Sequence, residues 1–424
     1  MHMLILQRSA MSMLLFLMAS MVHAEPLTMA DALSKALTDN PRLDSYSYSM
    51  RAAEAERLQA DLRPNPNLGL EVEDFAGTGE LSGVKSLETT LMLSQLLELG
   101  DKRHKRERAA AMRIGLVSAD YDIARLDVLA EVARRFIHVA RDQALLRVVR
   151  DAVKLAANNR AAVQKRVEAA RAMQAELNRA EIALARAKIT LEHREHELLA
   201  AKRRLAAAWG SDKVNFQTVT ADLFSLPQIR ALDGLLTELR ESPQMQRYLS
   251  ERRLHEAELE LAKARAVPNA RAGAGIRRLE SVDDQALMLN FSIDLPVFDQ
   301  NQGNIRAARE RLKQVAVNKN ARFIEAQSLL FSTYQELKHA RTEIEVLNET
   351  VIPQASKALQ SYEAGYSSGR FSYLELADAR SEFIELRGDA IRAAASYHTY
   401  LIEIERLTGI GFLDTEEQLK DVSP

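Results

Sequence analysis

Two histidines on one helical face are the first residues in this chain able to do metal chemistry. His193 and His196 stand three apart, close enough on a helix to share an ion. Their neighbours Glu192, Arg194, Glu195 and Glu197 read instead as a solvated charged face, so no metal ligand is assigned. Nucleophilic chemistry has no better footing. The chain holds no cysteine, no Gly-x-Ser-x-Gly and no Gly-rich phosphate loop followed by Lys-Ser/Thr. No catalytic residue and no cofactor site is expected. What remains is acidic: Glu176 and Glu375 occupy matching places after breaks between long helical stretches, with Asp378 one turn beyond.

The elements that must position these residues begin after a leader. Arg8 precedes the apolar stretch Met11 to Met21, and Val22-His23-Ala24 has the small residues of a cleavage site. Residues 1–24 are therefore expected to be an export signal, leaving Glu25 as the mature N-terminus. Without cysteine, the exported chain needs neither disulfides nor a lipid-bearing N-terminal Cys. Its 57 basic and 59 acidic residues give a net charge of -2, no field to gather nucleic acid. Charged residues make up 27% and aromatics only 5%, a composition of long helices. Past the leader there is no apolar run of 18 residues, so a membrane location would require a β-barrel.

The chain is written twice, at an offset of about 200 residues. Ala55-Glu56-Arg57-Leu58 through Pro64-Asn65 runs parallel to Glu258-Leu259-Glu260-Leu261 through Pro268-Asn269. Arg171 to Gly210 lines up with Arg370 to Gly409 without a gap, and a glycine stops each copy. One repeat spans 25–210 and the other 231–409, with a linker at 211–230 and a tail at 410–424. Each half reads helix, two strands, long helix, break, helix. Ala30 to Leu62 is helical apart from Asn40-Pro41. Leu68, Leu70 and Val72 then alternate with polar residues or glycine, as do Leu87, Leu91 and Leu93. The second half repeats this with Ala272, Ala274 and Ile276, then Leu287, Leu289, Phe291 and Ile293. Such strands turn one face to a core or to lipid. Four strands are too few for a bacterial barrel, which needs at least about eight, so the hairpins demand an oligomer or a soluble role.

The helices favour the oligomer. Lys102 to Arg166 runs without proline, on the order of 95 Å at about 1.5 Å per residue. Asn304 to Tyr362 is its counterpart, with Pro353 as a kink site. One apolar seam holds Ile123, Leu126, Ala130, Ala133, Ile137, Ala140 and Ala144; a second holds Leu129, Val132, Phe136 and Val139. Two seams let a helix touch neighbours on both sides, as in a closed ring, although an ordinary antiparallel bundle gives the same periodicity.

Three passages resemble the TolC-like outer-membrane efflux family. Tyr366-Ser367-Ser368-Gly369-Arg370 through Leu374-Glu375-Leu376-Ala377-Asp378-Ala379 is similar to that family's stretch at the periplasmic helix turn. Asp294-Leu295-Pro296 through Asn304-Ile305 resembles its second strand-to-helix passage. Gln95-Leu96-Leu97-Glu98-Leu99-Gly100-Asp101-Lys102-Arg103 resembles the first, in the form of the heavy-metal cation branch (CzcC-like and CusC-like proteins). Leu96 departs from an expected proline, and Ala170 stands where the second repeat has Gly369. The resemblance implies a mainly α chain with a membrane β-barrel. Three chains of four strands would form a homotrimeric twelve-stranded barrel, continued by a periplasmic α-helical barrel. It implies passive cation export from an inner-membrane RND transporter through a periplasmic adaptor. Glu176, Glu375 and Asp378 would then form carboxylate rings at the periplasmic aperture, crowding that raises pKa values; the alternative is surface acids paired with Arg179 and Arg380. Ala170, Arg171, Gly369 and Arg370 would mark adaptor-docking turns. Leu68, Leu70, Leu287, Leu289 and Phe291 would face outer-membrane lipid. Competing readings are a drug-efflux or type I secretion channel and, in a different class, a periplasmic coiled-coil adaptor or scaffold.

Overall fold

The structure, a computed structural model, describes residues 26–411. The leader at 1–24 and all but the first two residues of the tail lie outside the described residues. The first repeat supplies α1 (Met29–Asp39), α2 (Pro41–Asp61), β1 (Asn67–Glu73), β2 (Glu88–Leu97), α3 (Lys102–Glu168) and α4 (Gln174–Ala207). The second supplies α5 (Leu232–Glu241), α6 (Pro243–Arg265), β3 (Ala270–Leu279), β4 (Asp284–Ile293), α7 (Gln302–Val346), α8 (Ile352–Ser367) and α9 (Tyr373–Thr408). The chain separates into two compact units. One collects the chain to Asp39, Glu131–Pro227 and Leu337–Thr399; the other collects Asn40–Ala130, Gln228–Glu336 and the chain from Tyr400.

The second of these units carries the strands. They form one antiparallel sheet in the order β1-β2-β3-β4. Pairing of β2 with β3 joins the two repeats, with Leu91 opposite Ile276 and Leu93 opposite Ala274. The same register sets Leu68 opposite Leu93 and Leu289 opposite Ala274. Because side chains alternate across a strand, all these residues share one face. That face is uncovered: Leu68 is 68% exposed, Leu289 80% and Phe291 70%. On the opposite face Arg277 donates to Glu88 at 2.8 Å, to Thr90 at 3.0 Å and to Glu73 at 3.3 Å. Among the described residues no helix is long and apolar enough to cross a membrane.

The passage from β2 into α3 is fastened by the Gln95–Arg103 motif. Gln95 donates to the Pro64 carbonyl at 2.8 Å. Glu98 accepts two bonds from Arg106, at 2.7 and 3.2 Å, and Arg106 also donates to the Ala60 and Leu62 carbonyls. Asp101 takes φ 59°, and Asn301 takes φ 57° at the matching passage into α7. Both carbonyls then accept the first helical bond, from Lys105 and Ile305.

The other unit is helical. Apart from the half-buried Ile123, both seams of α3 are buried within the chain, with Phe136 1% and Val139 0% exposed beside Ala133 at 1%. The second long stretch breaks where expected. Pro353 has no N–H and its ring crowds the carbonyl four residues back, Glu349. The chain answers with a π turn at Leu347–Val351. The linker is irregular yet pinned. Gln143 donates to the Val219 carbonyl at 3.0 Å and accepts from its N–H at 2.8 Å. Tyr397 donates to the Pro227 carbonyl, and Leu27 forms a parallel bridge to Val219.

Arg106, first through its hydrogen bonds and then through its charge, holds the Glu98 carboxyl below its ordinary 4.5. A depressed carboxylate stabilises the fold fully above its ordinary value and loses that contribution as pH falls through the depressed one. Glu98→Gln should therefore cost about 2 kcal/mol at pH 7. Thermal unfolding followed by circular dichroism at neutral and acid pH checks this, and the difference should shrink well below pH 4.5.

Candidate functional site

The residues singled out in the sequence converge on two helical turns, one per repeat. After α3, the N–H of Ala170 bonds to the Val167 carbonyl at 2.9 Å and that of Arg171 to the Arg166 carbonyl at 2.7 Å. After α8, Gly369 bonds to Tyr366 at 3.1 Å and Arg370 to Gly365 at 2.8 Å. Both are the paired bonds of a Schellman ending, which requires a left-handed residue just past the helix. Ala170 has φ 55° and Gly369 φ 75°. The first repeat forces an alanine into a conformation that glycine adopts without strain. Ala170, Arg171, Gly369 and Arg370 are all exposed.

The following helices start differently. Ser372 caps α9, its N–H and hydroxyl both 2.8 Å from Glu375 Oε2 while its Oγ accepts from the Glu375 N–H at 3.3 Å. This reciprocal Ser-x-x-Glu capping box was legible in the sequence and was not anticipated there. In the first repeat Met173 takes the cap position with no side-chain bond. Glu176 is thereby released, and accepts a 2.9 Å bond from the Tyr366 hydroxyl of the second repeat.

Beneath the turns lies one apolar cluster, formed by Val163, Ala180, Leu359, Tyr366, Tyr373 and Leu376. The Tyr366 and Tyr373 rings meet edge-on at 6.0 Å. Asn159 of α3 donates to the Tyr373 hydroxyl at 3.1 Å. Phe371 packs over Gly365 so closely that a Cβ there would lie 2.1 Å from its ring. Arg166 sits 4.6 Å from the Tyr366 ring centroid and donates to the Tyr366 and Ser367 carbonyls, satisfying the end of α8. Burial, then the bond to Glu176, pushes the Tyr366 hydroxyl up to about 12. Tyr366 is thus a neutral donor at every physiological pH.

The three carboxylates have different surroundings within the chain. Glu176 is half-buried against Tyr366, while Glu375 and Asp378 are exposed. The Ser372 backbone N–H and then its hydroxyl hold Glu375 below its ordinary value. Within one chain that is the reverse of the direction expected from crowding. Arg380 pairs at 2.9 Å with Glu363, a partner the sequence did not indicate. His193 lies 3.2 Å from Glu197 on the exposed face of α4. Arg166, Asn159 and Tyr366 are the working residues that sequence reasoning missed, since their partners are up to about 200 residues away.

The duplicated order of elements finds its counterpart among known proteins. The family model described as outer membrane efflux protein matches residues 32–211 and again 236–410. The chain belongs to the outer membrane efflux protein family. This efflux protein is 27% identical over 386 residues to the cobalt-zinc-cadmium resistance protein CzcC of Cupriavidus metallidurans, covering 91% of both chains. It is 25% identical to the nickel and cobalt resistance protein CnrC of the same species, over 68% of each. Its fold matches crystal structures of CusC, a protein studied for folding and transmembrane channel formation. There the TM-score is 0.78 and the identity 19%, over 90% of this chain and 91% of that one.

The strained turn makes a reciprocal prediction. Ala170→Gly should stabilise the efflux protein by about 1 kcal/mol, and Gly369→Ala should destabilise it by about as much. Chemical denaturation of the purified protein reads both.

Proposed function

We propose that this efflux protein is the outer-membrane channel subunit of a tripartite RND-type system that exports heavy-metal cations. The observation that carries the metal reading is the end-to-end likeness to CzcC, 27% over 91% of each chain. The Gln95–Arg103 passage supports it. Three copies of the β1-β2-β3-β4 sheet would close into one barrel. Leu68, Leu70, Leu287, Leu289 and Phe291 then face lipid, and the Arg277 face lines water. The two repeats, 25–210 and 231–409, would each contribute one hairpin and one helical turn to a periplasmic tube. Ala170, Arg171, Gly369 and Arg370 offer similar exposed turns to a periplasmic adaptor, which links the tube to the inner-membrane transporter. Glu176, Glu375 and Asp378 stand at the aperture those turns surround. Conduction is passive and catalyses nothing. A conduit needs no tight ion site, because tight binding slows release.

A strain lacking the gene should become sensitive to cobalt, zinc, cadmium, nickel, copper or silver salts, and regain growth when the gene returns. Sensitivity to antibiotics or bile salts alone would keep the channel and remove its metal cargo. At the aperture, Glu375→Gln combined with Asp378→Asn should lower cation selectivity in planar-bilayer recordings. Unchanged selectivity would reject those acids as the filter.

A further inference from the structure

Directly beyond the strands the first repeat turns basic. Helix α3 opens Lys102-Arg103-His104-Lys105-Arg106, and no acid stands in its first turn. Cations at that end oppose the helix dipole. The fold itself does not demand them, since the matching helix α7 opens with the uncharged Gln302-Gly303-Asn304-Ile305. Some are used internally. Arg106 is held by Glu98, and Lys102 donates to Asn269. Arg103 stays only loosely engaged, 3.9 Å from Asp61, and Arg63 is exposed with no acid in salt-bridge reach among the described residues.

These groups border a cavity of about 420 Å³. Arg63, Lys102, Arg103 and His104 line it together with Pro64 and Leu97. Leu97 shares the face of Leu91 and Leu93 by two-residue spacing and is 43% exposed, so the cavity continues the uncovered apolar face. Two acids also line it. Glu98 is occupied by Arg106, and Asp101 lies 4.0 Å from His104. Burial lowers the Lys102 ammonium from its ordinary value, with Glu98 opposing, so an added anion would be welcome there.

We infer that this niche holds the phosphate of an anionic phospholipid, whose acyl chains continue along the apolar strands. The inference rests on the membrane-barrel reading above. Ten residues of β2 separate the niche from the far end of the sheet. Tilted in a barrel, that length spans an apolar band about 25 Å tall, so the niche falls at headgroup level on the helical, periplasmic side. A guanidinium meets a phosphate with two parallel bonds. An anionic headgroup suits the niche better than a zwitterionic one, which carries its own cation.

The test uses the full chain, purified in detergent and titrated with dioctanoyl phosphatidylglycerol or dioctanoyl phosphatidylcholine, with native mass spectrometry as the readout. Phosphatidylglycerol should bind roughly tenfold tighter or more, from about two cations near the phosphate. Arg63→Gln with Arg103→Gln should abolish that preference, while Arg341→Gln, paired far along the chain with Glu345, should leave it intact. Equal binding of the two lipids, or a preference that survives the double substitution, would overturn the inference. So would displacement of the lipid by an equal concentration of inorganic phosphate, which would make this a free-anion site. Conductance of the same preparation in a planar bilayer keeps the two ideas apart. A protein that conducts but shows no lipid preference sinks only the niche, and one that never conducts sinks the channel.

Discussion

A sheet with one apolar face and two open edges cannot stand alone in hydrocarbon, because an unpaired backbone N–H or C=O there has no water to bond. In this efflux protein the open edges are β1 and β4. The sheet is antiparallel throughout, so β4 of one copy would run antiparallel to β1 of the next in a closed barrel. Copies set round a threefold axis would therefore continue the ladder with no parallel joint. The internal duplication serves the same need. Each repeat supplies only a hairpin, and β2 must pair with β3 before a chain presents four strands.

Duplication also freed paired positions to diverge. At the two turns, Ala170 and Gly369 hold the same left-handed geometry at different strain. Met173 and Ser372 begin the following helices, the first without a side-chain cap and the second with one. The first turn is consequently the weaker one locally. What holds it comes from the other repeat, through the Tyr366 hydroxyl on Glu176 and the Arg166 guanidinium on the Tyr366 ring. The second turn adds a full capping box and Phe371 seated on Gly365 to the bonds that Arg166 gives the end of α8. Any force that separates α4 from α8 must break the Tyr366 bond, and Glu176 then loses its partner from the other repeat.

The elements of this fold were legible because each rests on local rules. Proline at 41 and 353, the period-two strands, and the glycine ending α8 each act within a few residues. The long helices declared themselves by length and by two seams, both of which are buried apart from Ile123. The site was legible only in outline. Gly369 marked its own turn, and Ala170 was placed at the equivalent turn by register alone. The bonds that make the turns one site join residues such as Asn159 and Tyr373, or Glu176 and Tyr366, which no spacing rule connects. Arg380 shows the same limit. Its real partner, Glu363, lies across the turn in α8, whereas the sequence offered nearer acids on its own helix.

If carboxylates set the field at the aperture, the three candidates cannot contribute alike. One Glu176 oxygen already accepts from Tyr366, and that residue is half-buried, so part of its charge is answered inside the chain. Glu375 is exposed but tied to Ser372, and that tie keeps it ionised to lower pH. Crowding three such groups round an axis would push their pKa values up, against the pull of the capping bonds. In such a ring the cap would act as a brace for charge, since an acid that doubles as a helix cap would resist protonation by its neighbours. Its position is fixed as well, since moving the carboxylate would uncap α9. Asp378, one turn along the same helix, is exposed and lies outside that capping box. A ring of braced charge beside a ring of unbraced charge would suit a conduit that must attract cations without holding them.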